Sequence, residues 1–294
     1  MLGTESINAN KDNFTLFTQF FSTQPLYNMY SKTKLSLKYF QYWLQSGNGK
    51  GHGIHSPFVF EFVQQVLITK HQNEAVEAIE MLRRQLKQNQ TAIQIDDFGA
   101  GSRVVKQNTR SIATIAHSSL KPRKYSSLLA RMVAFYKPAT IIELGTSLGI
   151  TTAYMAAANP DATVYTIEGA PAIAAIARQN FETLGISNLQ SVVGNFDEVL
   201  PGLLQKINRS IDFAFIDGNH RLQPTLAYFN ELLQCANENT IMILDDIHWS
   251  EEMEQAWFEI QNNATVTATI DLFFIGIVVF RKSFKTKQHF TIRY

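Results

Sequence analysis

The spacing of apolar residues changes character near residue 121. Before that point they recur at helical intervals. Val59, Phe62, Val63, Val66 and Leu67 form one such set, Ala75, Ala78, Ile79, Leu82 and Leu86 a second, and Ile112, Ile115, Ala116 and Leu120 a third. Ser56 followed by Pro57 suits an N-cap and a proline in the first helical position. The first thirty residues are polar with scattered phenylalanines and read as a loose helical arm. Residues 1–120 are therefore expected to be a helical extension, serving either as a lid or as a homodimer interface.

Beyond Lys121 a helix carrying Leu128, Leu129, Met132 and Val133 leads to Pro138, and strands and helices then alternate. The strand candidates are 140–143, 163–168, 189–193, 211–216 and 240–244. The last two are almost wholly apolar, as parallel strands covered on both faces are. Repeated strand–helix units predict an α/β, doubly wound sheet over 121–294. The chain then closes differently. After a helix with Met253, Ala256, Trp257 and Ile260, Val266, Ala268 and Ile270 alternate with Thr265, Thr267 and Thr269, which suits a half-covered edge strand. Residues 273–280 are nearly all apolar and suit a strand inside the sheet. So short a link forces an antiparallel pair, with the final strand inserted next to the fifth.

Composition narrows the function classes. Of 294 residues, 45% are apolar and 17% charged, which supports a packed core. A net charge of +1 lacks the basic footprint of a dedicated nucleic-acid binder, so such a partner is disfavoured, although net charge does not speak to a local patch. The single cysteine, Cys235, can build neither a disulfide framework nor a thiolate metal site. Glu5, Lys11 and Asp12 interrupt the start of the chain, leaving no apolar leader, and no apolar run reaches membrane-spanning length. A cytoplasmic protein without a membrane span is expected.

The first strand runs into Glu143-Leu144-Gly145-Thr146-Ser147-Leu148-Gly149-Ile150-Thr151. Glycine at such a turn lets the backbone approach a ligand, and the following helix offers free N–H groups. Glu168 ends the second strand, where a carboxylate can accept both hydroxyls of a ribose. A nicotinamide enzyme would place glycine where Ser147 stands, to admit a pyrophosphate. S-adenosylmethionine carries no pyrophosphate. The Glu-Leu-Gly-Thr-x-x-Gly pattern resembles motif I of methyltransferases, which implies that Glu143, Gly145, Thr146, Ser147, Gly149, Thr151 and Glu168 serve this cofactor. After the third strand, Gly194, Asn195 and Phe196 fall where this fold lines an adenine pocket; Asn195 equally suits a plain turn. A second glycine-rich stretch, at 97–102, lacks a clear following helix and an acidic strand end, and reads as a turn or hairpin loop.

The fourth strand ends in Asp217-Gly218-Asn219-His220 and the fifth in Asp245-Asp246-Ile247-His248-Trp249. Open α/β sheets place their sites at such carboxyl ends. This layout resembles the catechol and caffeoyl-CoA type of small O-methyltransferase, within the class I methyltransferase fold of seven strands in the order 3-2-1-4-5-7-6. The resemblance covers Lys121 to the last residue. It implies that Asp217, Asp245 and Asp246 hold Mg²⁺ or another divalent ion, with Asp217 also beside the cofactor, and that a base stands three positions after Asp217. Two departures stand out. His220 replaces that family's lysine, and Asp246 replaces an amide, adding a charge that needs a cation or a proton. A small hydroxylated, phenolic or catechol-like acceptor is implied, with His220 as base and Asp217 as its catalytic partner. The alternatives are methylation of a modified tRNA base and a cofactor-binding protein with a degenerate centre. His52 and His55 lie before Ser56 and read as part of a loop leading into a helix, since two ligands without a third make a weak metal site.

Overall fold

The computed structural model describes residues 29–47, 56–69, 74–95 and 109–294. Residues 1–28 of the arm expected over the first thirty, His52 and His55, and the glycine stretch at 97–102 fall outside these residues. The described chain begins with helix α1 (Lys32–Gln45), α2 (Pro57–Phe62), which runs on into a wider π-turn at Val63–Leu67, and α3 (Glu74–Gln88). Ser56 caps α2 as the sequence predicts, its hydroxyl accepting from the Val59 N–H at 3.4 Å, with Pro57 in the first turn. Two short strands, β1 (Ala92–Gln94) and β2 (Thr109–Ser111), pair antiparallel, and α4 (Ile112–Ser119) and α5 (Arg123–Tyr136) follow.

The main sheet is built from β3 (Thr140–Leu144), β4 (Thr163–Glu168), β5 (Leu189–Val193), β6 (Ile211–Ile216) and β7 (Ala236–Asp245). Helices α6 (Ile150–Ala158), α7 (Pro171–Thr183), α8 (Phe196–Ile207) and α9 (Leu222–Leu233) connect them, and α10 (Glu251–Asn262) follows β7. The chain closes with β8 (Ala268–Asp271), β9 (Ile275–Val279) and β10 (Gln288–Thr291). The spatial order is β10-β8-β9-β7-β6-β3-β4-β5, with β9 antiparallel to both β7 and β8. The doubly wound sheet and the inserted antiparallel strand stand as expected.

One expectation is corrected. The strand at 268–271 is not the sheet's edge, because β10 pairs parallel outside it and makes the sheet eight-stranded. Thr269, expected on an open face, is fully buried and shares hydrogen bonds with Gln261 of α10 and His289 of β10.

The period-two alternation of the strands divides the core. Ile141, Phe213, Phe215, Ile241, Ile243, Ile277 and Val279 point to one face, against α2 and α5. Ile142, Leu144, Ala214, Ile216, Met242, Leu244 and Val278 point to the other, against α8, α9 and α10. The front helices belong to the same packing: Phe62 and Val66 join the first cluster, and Ile79, Leu82 and Ile115 pack with Leu148 and Tyr154. Helix α1 turns Tyr39 and Tyr42 onto Phe273, while Phe40 and Trp43 on its far side stay exposed. No helix among the described residues is long and apolar enough to cross a membrane.

Candidate functional site

A cavity of about 590 Å³ opens above the carboxyl ends of β3, β4, β6 and β7. The ends of β3 and β6 touch closely enough there to require glycine. Gly145 has φ +105°, and a Cβ on it would lie 2.0 Å from the carbonyl oxygen of Asp217. Gly149 caps α6 with φ +79°, against the ring of Phe181. Between them Ser147, itself at φ +48°, donates its N–H to Glu168 Oε2 at 2.8 Å. Glu168 Oε1 accepts from the Ala170 N–H at 2.9 Å, so the carboxylate is held from both sides.

Of the residues expected to serve a cofactor, Gly145, Ser147, Glu168, Asn195, Phe196 and Asp217 line this cavity. Glu143, Thr146, Gly149, Thr151 and Gly194 do not. Glu143 is fully buried and accepts from the hydroxyls of Thr152 and Thr166, and Thr166 also bonds Thr146 at 2.6 Å. Burial raises the Glu143 carboxyl to about 8, against the opposing effect of those hydroxyls, so it is mostly neutral near pH 7. Asn195 caps α8, its side-chain oxygen accepting from the Asp197 N–H at 3.3 Å, and lines the cavity as well. Phe196 stands edge-on to Tyr228, ring centroids 5.6 Å apart.

The opposite wall is ionic. Asp217, His220, Asp245 and Asp246 all reach the cavity, as expected, and Lys121 joins them unannounced by the sequence pattern. Its ammonium contacts Asp245 directly and lies 3.4 Å from Asp217 Oδ2. Burial opposes the charge on Lys121, but Asp217, Asp245 and Asp246 outweigh it and hold the group protonated. Burial would also raise Asp217; Lys121 and His220 outweigh it and keep that carboxylate ionised. Asp245 is pushed up by burial and by the charges of Asp217 and Asp246. Asp246 is raised too, chiefly by burial. His220 Nε2 stands 3.5 Å from Asp217 Oδ1. Burial acts against its protonation, yet the hydrogen bond to Asp217 and the charges of Asp246 and Asp217 raise it above the usual histidine value. Asn219, His220 and Asp246 all have positive φ, at 67°, 28° and 52°. Backbone strain at non-glycine residues is thus concentrated where the strands meet the cavity.

A divalent ion, which the family resemblance implies, has a partial ligand set here. Asp217, His220 and Asp245 each bring one ligand atom within 4.8 Å of the others, while Asp246 lies outside that group. But the Lys121 ammonium already stands against both aspartates and supplies positive charge at that point. As arranged, these residues fit a cation built into the chain rather than an added ion. The signal that could have found Lys121 was the surplus of carboxylates at the strand ends, which demanded a partner.

A second charged cluster centres on His248, the residue before Trp249. His248 bonds Glu254 through Nδ1 at 2.9 Å and Asp271 through Nε2 at 2.8 Å. Glu254 also accepts from Lys38 at 2.9 Å and from the Tyr30 hydroxyl at 2.6 Å, tying the front of the chain and α1 to α10. Trp249 lines the cavity, and its indole N–H donates to the sulfur of Met29.

Comparison with known proteins agrees with this geometry. Residues 142–247 match the family described as "Methyltransferase domain". A catechol O-methyltransferase of Niastella koreensis is 31% identical over 126 residues, covering 42% of this chain and 55% of that protein. One from Mycobacterium tuberculosis is 26% identical over 154 residues, covering 52% of this chain and 66% of its own length. The chain thus spans between about half and two thirds of these two relatives. Among solved structures, an S-adenosylhomocysteine-bound methyltransferase of Podospora anserina superposes with a TM-score of 0.54 at 13% identity, covering 78% of this chain and 97% of that one. The structural likeness shows the fold alone: an α/β sheet of the kind found in that methyltransferase. Residues 142–247 match the methyltransferase-domain family, and the two sequence relatives are named catechol O-methyltransferases.

Proposed function

We propose that the protein transfers a methyl group from S-adenosylmethionine to the oxygen of a small hydroxylated acceptor, phenolic or catechol-like. The observation that carries this reading is one continuous cavity, walled by Ser147 and Glu168 on one side and by Asp217, His220 and Lys121 on the other. Glu168 would accept the ribose hydroxyls. Asn195 would meet the adenine edge, and Phe196 would cover its face. Gly145 admits the donor close to the backbone. These supports are chemical fit together with likeness to proteins that carry such names.

The sulfonium methyl is already activated, so the protein's work is alignment. The acceptor oxygen attacks in line. Its bond to carbon forms as the carbon–sulfur bond breaks, the electron pair returns to sulfur, and the hydroxyl proton passes to His220. The products are a methyl ether and S-adenosylhomocysteine. Trp249, Tyr125 and Phe274 would give the acceptor end an aromatic wall. The test is to incubate the full chain with radiolabelled methyl donor, a panel of phenols and catechols, and separate RNA and protein fractions. Label in the phenolic products is expected. Label confined to RNA, or tight donor binding with no transfer at all, overturns the reading.

A further inference from the structure

We infer that Lys121 is the resident cation of this site, and that its ammonium, not a divalent ion, holds the acceptor oxygen beside Asp217 and Asp245. The acceptor part of this inference rests on the methyl-transfer reading above; the cation part rests on geometry alone.

The ammonium of Lys121 touches Asp245, lies 3.4 Å from Asp217 and lines the cavity. An ammonium has three donors. Two are used on the aspartates, which leaves one for an acceptor oxygen. The lysine is also fixed at its root. Its carbonyl accepts from Arg83 Nη1 at 2.5 Å, and Arg83 is buried, bonded to Glu80 at 2.7 Å and to Ser126 at 3.3 Å. Tyr154 locks Glu80 in turn, at 2.8 Å. Pro122 follows directly and opens α5. Near its far end the side chain passes the ring of Phe215, its nitrogen 5.6 Å from the centroid. A divalent ion seated on the same two aspartates would face this ammonium at contact distance, in a site only 3% exposed at Asp245. Either the ion or the ammonium has to leave, and the ammonium starts from a backbone held in place by the buried Arg83 network, with its charge already seated on both aspartates.

The consequence is a different demand on the acceptor. A metal ion can chelate two vicinal hydroxyls, whereas an ammonium with one donor to spare holds a single oxygen. The acceptor class is therefore a lone hydroxyl with an aromatic or apolar body, and a vicinal diol is not required. Lys121 keeps its proton throughout, while the acceptor's proton goes to His220.

The experiment uses the chelator-treated full chain, with Mn²⁺ as the probe, followed by electron paramagnetic resonance. Wild type is expected to bind no Mn²⁺ below about 1 mM, the weak end of protein sites for hard cations. Its methyl transfer to phenol and to catechol is expected to survive chelation. Lys121→Met keeps the length of the stem and removes the charge. It is expected to lower kcat about 100-fold, with donor affinity by calorimetry within about threefold, and to gain Mn²⁺ affinity about tenfold or more as the aspartates lose their partner. Mn²⁺ binding to wild type in the micromolar range, or transfer that is confined to vicinal diols and abolished by chelator, overturns the inference, as does an unchanged kcat in Lys121→Met. Should that variant not fold, the wild-type arms decide alone. Should no acceptor be methylated, the Mn²⁺ titration still answers for the cation, separately from the proposed reaction.

Discussion

Two histidines stand beside carboxylates, His220 in the cavity wall and His248 next in the chain to the cavity residue Trp249, and they are built in opposite ways. His248 uses both ring nitrogens at 2.9 and 2.8 Å, with its ring lying beside Phe273. Every charge around it has a partner: Asp271 takes one nitrogen, and Glu254 takes the other while also holding Lys38 and Tyr30. His220 approaches a single carboxylate oxygen at 3.5 Å, from a backbone held at φ +28°, and its Nδ1 has no hydrogen bond among the described residues. Around it the carboxylates outnumber the cations. The contrast separates a strut from a reagent. A histidine with both nitrogens satisfied has no capacity left for chemistry, whereas a loosely held one in an open cavity can take a proton from a substrate.

The hardest test of that contrast falls on Asp217, which anchors both Lys121 and His220. Asp217→Asn removes the charge that positions them. A fall in kcat/KM of about 10³, near 4 kcal/mol, is expected in the methyl-transfer assay. A loss below tenfold would place the reacting centre elsewhere. His220→Ala comes next, with a loss of about 10² in kcat, the ordinary worth of a positioned base. The pH profile carries the sign. The base acts as neutral imidazole, and Asp217 and Asp246 hold its proton on above the ordinary value of 6.5. Wild-type turnover should therefore climb with pH through an inflection above 6.5, and His220→Ala should lose that limb. An identical limb in the variant would assign the proton to another group.

His248 should behave as a strut does, in stability rather than turnover. Burial works against its charge, but the bonds to Asp271 and Glu254 raise it from 6.5 to about 9. The folded value lies above the unfolded one, so the stabilisation is complete below pH 6.5 and is lost as pH rises through about 9. Glu254, depressed to about 2 chiefly by His248, Tyr30 and Lys38 in spite of burial, reports the same contacts from the acid side. Counted once and discounted for partial exposure, the strut contributes about 2 kcal/mol. His248→Gln should lower the melting temperature at pH 6 and flatten its decline toward pH 9.5, with kcat changed only a few-fold. A wild-type melting temperature that stays level over that interval would break the distinction between the two histidines.

The same contrast runs through what the sequence made readable. Strand β6, the second half of β7 and β9 were legible because they are apolar on both faces, β3 to β5 because they alternate with helical spacing, and Gly145, Glu168, Asp217 and Asp245 because their place at strand ends is set by chain order. Lys121 was not. It enters from the segment before α5, and its partners lie on β6 and β7, so no local spacing connects them. Strand β10 escaped because Gln288–Thr291 is short and half exposed, with Phe290 its one apolar residue. His220 rather than Asp246 joins Asp217 and Asp245, and the left-handed backbone at Asn219, His220 and Asp246 has no local pattern in the sequence that requires it. The aromatic residues of α1 are divided in the same way, because Tyr39 and Tyr42 find Phe273 while Phe40 and Trp43 face outward.

The smallest expected effect is on the donor side. Glu168 is held by the N–H groups of Ser147 and Ala170, at 2.8 and 2.9 Å, so it is preorganised for a ribose before any ligand arrives. Glu168→Gln keeps one carbonyl oxygen and turns the other into an NH₂, which can satisfy only one of those N–H groups. The ribose would lose an ionised acceptor, and the Ser147 turn or the Ala170 end would lose its clamp. A donor Kd about tenfold weaker, near 1.4 kcal/mol, is expected by calorimetry, with kcat at saturating donor within about twofold. That pattern differs in kind from the variants of the ionic wall, which should lower kcat and leave donor affinity nearly intact. If Glu168→Gln lowered kcat and spared Kd, the carboxylate would belong with Asp217 and His220, and the division of the cavity into a donor wall and a reacting wall would fail.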